Sequence, residues 1–185
     1  MRFIFDERKA AQAAAYLLQR HGGHLNYMKL IKLLYLADRR ALVDRGLPIT
    51  GDRMVSMQKG PVLSGVLDLI NWGSIDEQSP WLEYISPPSD YEVHVLNPDA
   101  ECKALSRYEK GLLVEIDERF GEFDRWSLVR YTHTLPEWRD PKGSSFPIDP
   151  ADILRLENRP EKEITEFKEE AEEALFLEFL MVRAA

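Results

Sequence analysis

The stretch "YMKLIKLLYLADRRAL", residues 27–42, decides how the whole chain is read. Stepping about 100° per residue around a helix, Leu30, Leu33, Leu34, Ala37 and Ala41 share a side with Tyr27, Met28, Ile31, Tyr35 and Leu42. Lys29, Lys32, Arg39 and Arg40 take the remaining sector, interrupted by Leu36 and Val43. An apolar arc this broad predicts a central helix, from about Asn26 to Asp44, with neighbours on more than one face. Asp38 falls inside that arc. A carboxylate taken out of water without partners is costly or is forced to protonate. The expected donors are Arg53, Lys59, His133 or the amides following Pro61. Asp38, Gly60 and Pro61 then form a polar tie between the central helix and the 53–62 segment. The plainer alternative is a rim position open to solvent.

Working outward, Asp6 caps a first helix running to about Arg20, with Ala10, Ala13, Ala14 and Leu17 on one small-residue face. Gly22-Gly23 ends it. After Gly46-Leu47-Pro48, residues 53–58 read as extended, and "PVLSGVLDLINWG" reads as a helix with Pro61 in its first turn. Residues 81–86 and 91–96 read as strands flanking a hairpin connection at 87–90, forming a small sheet with 53–58. Ser106 and Asp124 cap two further helices, the second broken at Pro136. Asp149-Pro150 starts a short helix, and a last amphipathic helix begins near Pro160. The fold class is α+β, mainly α: one compact helical domain over 1–185 with an antiparallel sheet of about three strands.

With 185 residues and 44% hydrophobic content, the chain can bury one substantial core. It shows no apolar run of membrane-spanning length and no signal-peptide pattern, so the expected location is the cytoplasm. A single cysteine, Cys102, excludes an internal disulfide framework and multi-Cys metal sites, and nothing in its surroundings activates it. The net charge of −8 argues against nucleic-acid binding. Residues 1–60 hold 11 Lys/Arg against 5 Asp/Glu, and the remainder 13 against 27. Either the two parts attract each other within one fold, or a basic face meets an acidic partner.

Catalytic signatures are sparse. The sequence has no glycine-rich phosphate loop, G-x-S-x-G, H-E-x-x-H or EF-hand loop. His21-x-x-His24 offers two imidazoles where zinc needs three or four ligands, so the ordinary reading is a helix end and no metal or cofactor is expected. His133, near Asp124 and Glu137, has the chemistry of a general base. More commonly such a histidine anchors a helix end by bonding a backbone carbonyl or a carboxylate.

Four segments together resemble a known family. "KLIKLLYLAD" (29–38), "KGPV" (59–62), "LSRYEKGLLVEIDERFG" (105–121) and "SLVRYTHTLPEW" (127–138) are similar, in order and spacing, to the Panacea domain of SocA-like or GepA-like antitoxins. The resemblance covers about residues 8–140, leaving 150–185 as a C-terminal helical extension. Glu137, between Pro136 and Trp138, departs from the family pattern.

The resemblance implies a bacterial or phage antitoxin that neutralises a cognate protein toxin, usually encoded beside it, by direct binding. One branch delivers its toxin to the ClpXP protease, which makes a proteolytic adaptor the alternative. An N-terminal DNA-binding helix-turn-helix, frequent in the family, has no room before residue 26. The expected toxin-binding surface draws on the polar rim of the second helix (Lys29, Lys32, Tyr35, Arg39), on Arg53, Gln58 and Lys59, and on Thr132, His133 and Trp138. An enzyme using His133 with Asp38 as its orienting carboxylate is a distant alternative, and a structural protein of phage particles a more distant one. In the last helix, "ALFLEFLMV" (174–182) has an inner stripe of Leu175, Phe179 and Val182. It either packs on helix one or exposes an apolar patch to the toxin or to a second copy of the chain. The terminal "VRAA" resembles tails that ClpX recognises.

Overall fold

The computed structural model describes residues 1–74 and 76–184, except for the side chains of Val182 and Ala184. Its centre is the helix expected from residues 27–42. This helix, α2 (Tyr27–Arg45), is capped by the Asn26 side chain on the Met28 amide and ends at Gly46 in the left-handed region, φ 71°. Every residue from Leu30 to Asp38 is buried. Around it pack α1 (Glu7–Arg20), α5 (Arg107–Phe120), α6 (Arg125–Thr132) and α7 (Pro150–Leu156). The alanines Ala10, Ala11, Ala13, Ala14 and Ala15 are fully buried, so α1 can approach its neighbours closely. Asp6 caps α1, and Ser106 with Glu109 forms a capping box on α5.

The extended segments differ from expectation in their partners. Residues 81–86 do not form a strand. Pro80 opens a short helix, α4 (Pro80–Tyr84), whose buried Trp81 packs beside α1. Glu7 of α1 holds its start, accepting from the Ser79 hydroxyl and the Trp81 amide. The strand β4 (Glu92–His94) therefore pairs antiparallel with β1 (His24–Asn26). A second sheet has the order β3-β2-β5, with β2 (Met54–Ser56) between β3 (Val62–Leu63) and β5 (Phe146–Pro147).

The third helix starts three residues after Pro61, as α3 (Ser64–Trp72). Asp52 explains the delay. Its carboxylate accepts from the Gly65 amide at 3.0 Å and the Val66 amide at 2.8 Å. The first turn is thus satisfied from outside the helix, and Val62-Leu63 stays extended to pair with β2.

The tie from Asp38 also goes elsewhere. Asp38 is 1% exposed, and its oxygens accept from the Thr50 amide at 3.1 Å and the Thr50 hydroxyl at 2.5 Å. It fixes the turn after α2, not Arg53, Lys59, His133 or the Pro61 corner. Burial raises its pKa from 3.8 to about 7, against the opposing pull of Thr50.

The last helix, α8 (Glu161–Ala184), docks where α2 ends. Phe167 covers Gly46, Arg159 donates to the Val43 carbonyl, and Ile164 and Ala171 are buried. Packing on helix one through Phe179 is not found: Phe179 is 54% exposed, because the docked stripe runs through Ile164, Phe167 and Ala171. Ala185, the end of the VRAA tail, lies outside the described residues, as do the Val182 and Ala184 side chains.

Part of the charge asymmetry is met inside the fold. Lys9 pairs with Glu109, Arg20 with Asp117, and Arg39 with Glu137 and Glu157.

Candidate functional site

Lys32 was expected on an exposed rim, but its side chain points into the protein. It is 1% exposed and donates to the Pro61 carbonyl at 2.7 Å. Its burial lowers its pKa to about 7. Above it the chain turns through Gly60, at φ 86°. A Cβ there would stand 2.5 Å from Thr132 Oγ1 and 3.0 Å from Lys32 Nζ. Thr132 is fully buried and bonds the Val129 carbonyl.

His133 follows Thr132 at the C-terminus of α6. Its ring stacks on Trp138 at 4.0 Å between centroids. Among the described residues its buried Nε2 has no hydrogen-bond partner. Burial, and then the Lys32 charge, lower its pKa, which favours the neutral ring. Trp138 Nε1 donates to the Met57 carbonyl at 3.0 Å. Thus Lys32 and Trp138 each bond the backbone of the 57–61 turn, and the His133 ring packs between Trp138 and Gly60. They form a junction that fixes the turn, and Asp38, committed to Thr50, does not orient His133.

Tyr35 and Arg39 belong to a second junction. Tyr35 is fully buried and donates to Glu137 at 2.8 Å, while Arg39 grips the same carboxylate at 2.7 and 3.1 Å. Burial, then Glu137, pushes the Tyr35 phenol well above its ordinary value. Neither side chain forms part of an open rim. Lys29 is half-buried and bonds the Gly121 carbonyl.

Lys59, carried by the fixed turn, is exposed and reaches over Trp126, 5.8 Å from the ring centroid. Arg125 lies 5.4 Å from the same ring. Trp126 is 46% and Tyr91 65% exposed, and Tyr91 stacks on Tyr27. A hollow of about 190 Å³ runs between these groups, lined also by Asn26 and Met28. Asp90 and Tyr91 both sit at positive φ, 50° and 66°, a strained way to hold a tyrosine outward. Of the expected residues, Lys59 is on this face and Lys29 lines the adjoining hollow with Phe123. Arg53 is exposed but lines a separate groove of about 590 Å³ beside Met1–Phe3.

Sequence reasoning missed Trp126, Tyr91 and Arg125. A tryptophan two residues past the cap Asp124, on a short helix, was the available signal. His21 and His24 do not converge: His21 bonds Asp117, and His24 stacks on His94. Among the described residues no cluster of His, Cys, Asp or Glu could hold a metal, and no helix is long and apolar enough to cross a membrane. Cys102 is buried, which raises its thiol pKa.

The architecture is therefore a mainly α, α+β domain whose interior polar groups brace a turn beneath an aromatic and basic face. Residues 30–139, more than half of the chain, match the family model for the antitoxin SocA-like, Panacea domain. The chain belongs to that antitoxin family. No curated protein and no solved structure matches it.

Proposed function

We propose that this protein is an antitoxin that neutralises a protein toxin by binding it through the face around Trp126, Tyr91, Lys59 and Arg125. Family membership supports the antitoxin role, and it speaks for a non-enzymatic one. The observation that carries the choice of surface is Trp126, half-open between two cations on a face with the exposed Tyr91. Tryptophan, tyrosine and arginine are the residue types that most often anchor protein interfaces. The cations steer an acidic partner toward the face, and the aromatic rings supply the buried contact. Lys32, His133 and Trp138 serve it indirectly, by holding the turn that carries Lys59.

The test is growth of cells that express the product of the neighbouring gene together with this chain. Wild-type protein is expected to restore growth. A Lys59→Glu, Trp126→Ala double variant, present at equal level, is expected to lose rescue. Undiminished rescue contradicts the surface. Delivery to ClpXP is a separate reading, abandoned if toxin lifetime does not change with the protease.

A further inference from the structure

The end of α8 departs from the rest of the surface. Phe176, Leu177, Phe179, Leu180 and Met181 are between 46% and 67% exposed. These half-open side chains present roughly 500 Å² of apolar surface. A patch of this size is as large as the largest on a typical monomer, and such patches are often functional.

Geometry selects the occupant. Counting about 100° per residue from the buried Ala171, Glu173, Phe176, Leu180 and Arg183 lie on the opposite side, facing away from the domain. Residues 161–173 hold seven glutamates and two lysines, whereas 174–184 hold one Glu and one Arg. Two such helices laid parallel would set acidic tract beside acidic tract and Arg183 beside Arg183. Laid antiparallel about Glu178, each Phe176 meets Leu180 of the other copy, and each Glu173 meets Arg183. The acidic tracts then run apart. The seam is complementary to itself in that orientation alone.

We infer that a second copy of this chain covers the end of α8, through an antiparallel two-fold pairing of Phe176 with Leu180 and Glu173 with Arg183. Helix α8 docks at Gly46, and the aromatic face begins at Tyr27, the two ends of a 19-residue helix about 28 Å long. Pairing therefore leaves that face open, and a dimer presents two of them.

Sedimentation velocity of the full chain across a concentration series tests this directly. Wild type is expected to dimerise. Phe176→Glu is expected to raise the dimer dissociation constant at least tenfold with unchanged thermal unfolding. Glu173→Arg should weaken the dimer, and adding Arg183→Glu should restore it. A monomer at all concentrations overturns the inference, as does a dimer indifferent to Phe176→Glu. A dimer broken by Phe176→Glu but unmoved by the charge swap overturns the antiparallel pairing. If wild type is monomeric and Phe176→Glu abolishes binding of the neighbouring gene's product, the patch belongs to the toxin.

Discussion

The ammonium group of Lys32 lies 2.7 Å from the carbonyl oxygen of Pro61, inside the protein. One buried hydrogen bond thus links the central helix to the turn that carries Lys59. The same residue makes the junction sensitive to pH.

Lys32 titrates near pH 7 in the folded protein, below the ordinary lysine value of 10.5. Between those values the unfolded chain binds more protons, so the Lys32 contribution to stability rises with pH. It is complete above about 10.5 and is lost as pH falls through 7. Lys32→Met should abolish this rise, which is on the order of 4 kcal/mol across pH 6–10. Urea denaturation of both proteins from pH 6 to 10 measures it, and parallel curves would contradict the buried position.

Asp38 predicts the opposite slope. Its folded pKa of about 7 exceeds the ordinary 3.8, so the folded chain binds more protons between the two. Its contribution is complete below about pH 4 and is lost as pH rises through 7. Asp38→Asn, which keeps the bond from the Thr50 amide, should flatten stability across pH 4–7. An unchanged profile would mean that Asp38 is ionised and solvated.

Gly60→Ala should cost about 2–4 kcal/mol, from left-handed backbone strain and from crowding against Thr132. Chemical denaturation gives the value. A change below 0.5 kcal/mol, the usual range for surface substitutions, would show that the turn does not press on α6.

Helical content was legible in the sequence because caps and periodicity are local. Asp6, Asn26, Ser106, Asp124 and Asp149 each stand at a helix start. Strand pairing was not, because which segment meets which depends on distant residues. The Glu7 bonds at the start of α4 and the Asp52 bonds to α3 decide it, and neither has a sequence signature. Asp38 was readable as buried and partnered, but its partner Thr50 was not. Helical periodicity likewise placed Lys32 and Arg39 in the polar sector without revealing that neighbours close over it. Glu137 is the acceptor for both Tyr35 and Arg39. The aromatic face was hidden because Tyr91 and Trp126 are far apart in sequence, and only packing brings them together.

The central claim is recognition of a protein toxin through the Trp126 face, and calorimetric titration with the purified product of the neighbouring gene measures it most directly. A saturable complex is expected, which Trp126→Ala weakens at least tenfold, about 1.4 kcal/mol, without altering thermal unfolding. Wild-type affinity in that variant, or no complex with the intact chain, would contradict it.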